Sequence, residues 1–235
     1  MRRLKNYLIL VLLLSMFSVL FQHKMYEMAL DKRLEAESVG NEQFRAEFYS
    51  DTMRKDREGL PETCLSFLSA VEKDIRYFPI PLSEADESLG TSYVDSWMGE
   101  RSYKGKGVHE GTDIMADRDE RGIYPVISIS DGTITNLGWL EKGGYRIGIT
   151  SPSGVYFYYA HLESYADIKE GDFVMAGQFL GFMGDSGYGE EGTTGQFPVH
   201  LHLGIYSFEE GEETSVNPYY VLLALEDKKL KYYYI

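Results

Sequence analysis

The sequence predicts a mainly β fold: an antiparallel β-sandwich or barrel over residues 93–226, preceded by a helical segment and an N-terminal membrane anchor. Three observations predict it. Beyond Tyr93, short apolar runs alternate with Gly, Asp and Pro turns at the spacing of an all-β domain. Residues 25–77 are instead rich in Glu, Lys, Arg, Met and Leu and show no two-residue alternation. The first residues pair a basic cluster with an uncharged run, Tyr7 to Phe21.

The elements follow in order. Arg2, Arg3 and Lys5 precede the uncharged run, which is short for a span of ~20 residues but can be extended by Leu4 and Gln22. Gln22-His23-Lys24-Met25 offers no small-x-small cleavage site. Residues 1–24 are therefore expected to be an uncleaved signal anchor with its positive end in the cytoplasm. That makes a single-pass protein of the cell membrane with its remainder outside; cleavage would make it secreted. Residues 25–78 are expected as a helical stalk or arm, which either packs on the following domain or engages an envelope protein. Gly59-Leu60-Pro61 breaks this segment, and Pro61 with Glu62 suits the first turn of a new helix. Its expected apolar stripe is Leu65, Leu68, Val71 and Ile75. Pro79 and Pro81 end that helix, and residues 79–92 read as an acidic linker.

In the β region, Ile127–Ser130 and Thr133–Thr135 flank Asp131-Gly132, which cues a hairpin. Arg146–Thr150 and Val155–Ala160 flank Ser151-Pro-Ser-Gly154 in the same manner. Asn217 is placed as an N-cap, with Pro218 at the first helical position and Val221, Leu222, Leu223 and Leu225 following. The tail, residues 227–235, shows no pattern that assigns it.

Four of the five histidines fall in this β region. His109-Glu110-Gly111-Thr112-Asp113 comes first, Tyr159-Ala160-His161-Leu162 follows, and His200-Leu201-His202 lies in an apolar segment, Pro198 to Tyr206. Imidazole and carboxylate bind zinc at neutral pH, and a catalytic zinc takes three protein ligands and leaves one position open. On a strand, residues two apart share a face, so His200 and His202 enter one cavity. His109 and Asp113 fit one face of a strand or one helical turn; Gly111 between them disfavours the helix. A lone histidine beside aromatic residues is more often a hydrogen-bonded core residue, and the joint occurrence is what points to chemistry.

The segment from about Tyr93 to Ala224 resembles the lysostaphin-type zinc endopeptidases, which cut peptidoglycan peptides. The resemblance runs in order through His109-x-Gly111-x-Asp113, Asp131-Gly132-Thr133-Ile134, Tyr159-Ala160-His161-Leu162 and Lys169-Glu170-Gly171-Asp172-Phe173-Val174. It continues through Ala176-Gly177-Gln178-Phe179-Leu180-Gly181, Gly184-Asp185-Ser186-Gly187, His200-Leu201-His202 and Asn217-Pro218. It implies one Zn²⁺ held by His109, Asp113 and His202, with His161 and His200 as the catalytic pair. It also implies an oxyanion-stabilising tyrosine at Tyr103, with Tyr93 nearby. The implied reaction is hydrolysis of peptidoglycan peptide cross-links by metal-activated water. Some relatives that have lost ligands act only as wall-binding or assembly scaffolds that activate other hydrolases; here all five positions are filled. One departure stands out: Gly187 to Phe197 is a longer, glycine-rich and acidic stretch before the His-x-His. It is expected to be flexible and to border the cleft, with Glu190 and Glu191 near the site.

Composition restricts the partners. A net charge of −14 argues against nucleic acid, which needs basic clusters. It also means that anionic wall polymers would have to be bound locally. One cysteine, Cys64, excludes an internal disulfide and lies far from the N-terminal apolar run, which disfavours a lipoprotein.

Overall fold

The computed structural model describes residues 62–101, 107–209 and 212–235. The expected anchor over 1–24, most of the expected arm and Tyr103 lie outside them. Among the described residues, no helix is long and apolar enough to cross a membrane.

In chain order the elements are α1 (Glu62–Asp74), β1 (Leu82–Ser83), β2 (Thr91–Tyr93), β3 (Glu100–Arg101), β4 (Gly107–Val108), β5 (Thr112–Ala116) and β6 (Pro125–Ile127). There follow β7 (Gly132–Leu140), β8 (Gly144–Thr150), β9 (Tyr156–Tyr165), β10 (Phe173–Val174), β11 (Phe179–Met183), β12 (His200–Glu209) and β13 (Glu212–Ser215). The chain closes with α2 (Pro218–Leu225) and β14 (Lys231–Tyr232). The fold is mainly β, as the turn spacing predicts. One antiparallel sheet runs β10-β7-β8-β9-β12-β5-β2, with β13 beside β12 and β11 joining β9 to β6.

Alternation sorts the two faces of this sheet. Leu201, Leu203 and Ile205 on β12 stand opposite Ile114, Thr112, Tyr159 and Phe157 on its neighbours, and all of these are fully buried. Ile147 and Ile149 on β8 continue the layer towards Ile134 on β7. Each such large apolar side chain contributes ~1.5–3 kcal/mol relative to exposure. The intervening residues, His200, His202 and Tyr206 on β12 with Tyr156, Tyr158 and Ala160 on β9, form the opposite face.

The hairpin expected around Ser151–Gly154 is present. β8 pairs with β9, Ser151 N–H donates to Val155 O (2.8 Å), and Gly154 takes φ +83°. The hairpin expected around Asp131-Gly132 is not. β6 pairs with β11, while β7 pairs with β8 and β10. Residues 128–131 are committed elsewhere: Ile129 N–H donates to Tyr159 Oη (2.9 Å), Ile129 O accepts from Arg76, and Asp131 Oδ1 accepts from Ala176 N–H (2.7 Å).

The segments flanking the sheet are stitched to it. In α1 the inward face is Phe67 and Val71, continued by Ile75; Leu65, expected on the stripe, is exposed. Asp74 ends that helix by accepting hydrogen bonds from both Ser151 and Ser153 in the β8–β9 turn. Residues 79–92, read from composition as a linker, bury Ile80 and Leu89. The tail forms β14, which runs parallel to β1, with Leu82 N–H donating to Leu230 O (2.8 Å) and Tyr234 Oη to Pro81 O (2.7 Å). Helix α2 has its expected cap, Tyr219 N–H on Asn217 Oδ1 at 3.0 Å, and buries Val221, Leu222 and Leu225.

Candidate metal centre

Register brings the cluster together. β12 pairs with β5 so that His202 stands opposite Asp113. His109 follows β4, which pairs with β3, and is held by two backbone hydrogen bonds, Met98 N–H to His109 O (2.7 Å) and His109 N–H to Gly99 O (2.9 Å). Gly111 packs against the same imidazole; a Cβ there would lie 2.4 Å from His202 Cε1. Glycine at 111 is thus required by contact with the ring.

Three atoms converge. Asp113 Oδ1 lies 3.0 Å from His109 Nε2 and 2.9 Å from His202 Nδ1, and the two nitrogens are 2.9 Å apart. His109 Nδ1 donates to Ser96 O (3.0 Å); a carbonyl can only accept, so His109 Nε2 presents a lone pair. A lone pair facing a carboxylate oxygen at 3.0 Å needs positive charge between them. A triangle of these edges also lets one ion sit ~2 Å from all three atoms, the distance zinc takes to nitrogen and oxygen ligands. The donor set therefore fits a metal ion such as zinc, and all three residues line the cleft. Arg101 Nη2 holds the second carboxylate oxygen, Asp113 Oδ2, at 2.7 Å.

Electrostatics match this arrangement. Burial alone would raise the Asp113 carboxyl, but the close imidazoles of His109 and His202, with His200 beyond them, outweigh it and hold the group well below the usual carboxylate range. Burial lowers His202 despite Asp113. Burial, then the neighbouring His200 and His202, pushes His161 well below the ordinary value of 6.5.

The two spare imidazoles adjoin the cluster. His161 and His200 have ring centroids 4.7 Å apart, and His200 Nε2 lies 3.8 Å from Asp113 Oδ1. Each gives its Nδ1–H to a backbone carbonyl, His161 to Ser186 (2.8 Å) and His200 to Pro198 (2.7 Å), so each Nε2 is the basic nitrogen. His200 reaches the cleft by plain alternation. His161 does not, since its neighbour Ala160 already occupies that face opposite His202. His161 instead adopts φ +64°, beside a register shift between β8 and β9, and its N–H bonds Gly143 O at 2.8 Å. This irregularity returns the imidazole to the cleft.

All five histidine and aspartate positions singled out in the sequence line one cleft of about 290 Å³. Tyr93 does not line it; its hydroxyl donates to Glu226 at 2.7 Å, beside α2. Glu190 and Glu191 are exposed and do not line it either; the loop contributes Tyr188 and Phe197. Phe197 packs against both spare imidazoles, 4.6 Å from His161 and 5.0 Å from His200 between centroids. The loop expected to be flexible is closed by its own hydrogen bonds, Gly187 N–H to Thr193 O (2.9 Å) and Gly195 N–H to Asp185 Oδ2 (2.9 Å). Sequence reasoning missed Arg101, Lys142, Tyr188 and Phe197. Only Phe197 had a signal, as the last residue of the long loop.

Fold and cluster together define an antiparallel β protein with a His-Asp-His ligand set open to a cleft and two free imidazoles beside it. The model of peptidase family M23 matches residues 107–218. A Ruminococcus gnavus protein assigned as the glycyl-glycine endopeptidase lytM is 60% identical, and its crystal structure matches at TM-score 0.67, covering 72% of this chain and 68% of that one. The L-Ala–D-Glu endopeptidase of Bacillus subtilis is 42% identical over 150 residues, 63% of this chain and 43% of that protein. Lysostaphin from Staphylococcus simulans is 39% identical over 84 residues, 35% of this chain and 16% of that protein. The matches thus span less than half the length of these two relatives. The chain belongs to peptidase family M23.

Proposed function

We propose that this protein is a zinc-dependent endopeptidase that hydrolyses peptide cross-links of bacterial peptidoglycan. The observation that carries this is the convergence of His109 Nε2, Asp113 Oδ1 and His202 Nδ1 within 3.0 Å, beside two further imidazoles whose Nδ1 atoms are bound to carbonyls. Zinc held by these three residues would polarise a scissile carbonyl and bring the pKa of a bound water towards ~7.

The chain's own residues supply the rest. His161 and His200 each keep an Nε2 lone pair available to take a proton and pass it to the leaving amine, a contribution typically worth 10²–10⁴-fold. Their Nδ1–H bonds fix both rings in orientation, so little rearrangement is needed during transfer. Phe197 packs against both rings. Tyr103 remains our candidate for stabilising the oxyanion.

The endopeptidase names of the relatives support the reaction class, and the L-Ala–D-Glu and glycyl-glycine bonds in those names support peptide cross-links as the substrate. A location outside the cytoplasm, with an N-terminal anchor, is proposed on Arg2, Arg3 and Lys5 before the uncharged run. Membrane fractionation that found the mature chain released, beginning beyond Gln22, would replace the anchor by a secreted form.

The test is to measure bound zinc together with peptide ends released from purified walls. Release should stop with a chelator and return with Zn²⁺. Zinc-loaded, folded protein that binds walls of several cross-link types but frees no peptide ends would make it a scaffold instead.

A further inference from the structure

The cleft differs in charge from the chain around it. The whole sequence carries an excess of 14 acidic charges. The cleft is lined by two cations, Arg101 and Lys142, against two carboxylates, Glu110 and Asp113. A divalent ion in the cluster would leave it positive, and low-dielectric walls focus that field on whatever enters. Arg101 is committed to Asp113 Oδ2 at 2.7 Å. Lys142 makes no hydrogen bond or ion pair among the described residues.

The Lys142 backbone, by contrast, is fixed. Gly143 O accepts His161 N–H at 2.8 Å, and Glu141 O accepts Gly189 N–H at 3.1 Å. Lys142 O packs against Gly187 so closely that a Cβ there would come within 2.5 Å of it. A long unpaired ammonium therefore projects from a rigid turn whose next residue holds the His161 backbone.

We propose that Lys142 reads a free carboxylate on the substrate residue that supplies the leaving amine. The proposal rests on the peptidase reading above, with His161 taking part in proton transfer. An imidazole that protonates the leaving nitrogen must come within ~2.6–3.2 Å of it. The residue bearing that nitrogen then lies on the His161 side of the cleft, where Lys142 stands. A carboxylate on its α-carbon is two bonds from the nitrogen, within reach of a four-carbon ammonium arm. A glutamyl residue that continues the chain through its γ-carboxyl meets this requirement, because its α-carboxylate is then free. Such a residue follows the bond named for the Bacillus subtilis relative. Amidation of that carboxylate removes its charge and replaces the ion pair by a weaker hydrogen bond from the ammonium to an uncharged amide.

The experiment uses the zinc-loaded full chain and two synthetic peptides containing an L-Ala–D-Glu bond, one with the free α-carboxylate and one with its amide. Wild type should favour the acid in kcat/KM by about 10-fold, as a charge-assisted contact warrants. Lys142→Met should bring the ratio close to one, and Lys142→Arg should restore the preference. Because a ratio on two substrates cancels the active fraction, a poorly folding variant still reports. An unchanged ratio in Lys142→Met overturns the proposal. If wild type cuts neither peptide yet releases ends from walls, the Lys142 assignment falls and the peptidase reading stands. If it releases nothing from any wall, the peptidase reading fails and this proposal with it.

Discussion

β12 and β9 lie side by side and each delivers imidazole to the same cleft, but by opposite means. On β12, His200 and His202 face the cleft because residues two apart share a face, and Leu201 and Leu203 anchor the other side in the core. On β9 that rule would send His161 into the core behind Ala160, and a left-handed residue at φ +64° turns it back. Regular pairing suits a ligand, which must hold one position against its partners. A bulged position stores strain, about 1–3 kcal/mol, and is kept where the surroundings over-determine it. Here those surroundings are two bonds, His161 N–H to Gly143 O and His161 Nδ1–H to Ser186 O.

Removing one imidazole from each strand separates the two roles most widely. His202→Ala should lose both zinc and hydrolysis, since a ligand carries binding energy directly. His161→Ala should keep zinc and lose 10²–10⁴-fold in kcat. Metal content after dialysis, read beside wall hydrolysis, separates them; equal zinc loss in both would show the histidines misassigned. Next in size are the supports of the ligands. Arg101→Met should weaken zinc binding by about 10–100-fold in chelator competition, because it frees the outer oxygen of Asp113. Gly111→Ala should lower thermal stability by ~1–3 kcal/mol and weaken zinc as well, since its methyl group overlaps the His202 ring.

A smaller effect isolates the bulge itself. His161→Gly should be more stable than His161→Ala by ~1–2 kcal/mol in urea unfolding, because alanine pays the steric cost of positive φ and glycine does not. Acid sensitivity offers a second view of this position. His161 is buried neutral and pushed below 6.5, so below that pH the unfolded chain binds the extra proton first. The metal-free protein should therefore lose stability as pH falls through about 6.5, and His161→Gly should flatten that decline. Equal slopes in the two proteins would mean that His161 is not the buried titrating group. Least of all, cutting the Gly187–Phe197 loop to a tight turn should change the preference among cross-link peptides more than zinc affinity, because Tyr188 and Phe197 line the cleft and are not among its candidate ligands.

The difference between the strands also explains what the sequence disclosed. His200 and His202, with Leu201 and Leu203 between and beyond them, were readable because alternation is local and periodic, whereas the ligand role of Asp113 came from the resemblance. The capped helix at Asn217 and the Ser151–Gly154 turn were readable for the same reason. The placement of His161 in the cleft came from resemblance, since no local pattern announces a bulge. The false hairpin at Asp131-Gly132 shows the converse: the turn residues were right for a hairpin, but pairing of β6 with β11 and β7 with β8 was decided by partners far along the chain. Arg101 and Lys142 were silent because each matters through what the fold sets opposite it.

The clasp between β1 and β14 bears on how this protein is assembled. Ser83 and Pro81 are hydrogen-bonded to Tyr234 across 151 and 153 positions of sequence. Contacts of that separation form only after all the intervening chain is available, which places the clasp among the late steps of folding. A fragment trimmed to the family-matched residues 107–218 would lack both strands of the seam, along with the helix that Asp74 pins to the β8–β9 turn. The packed domain therefore extends beyond the family-matched residues, which carry the candidate metal site, at both ends.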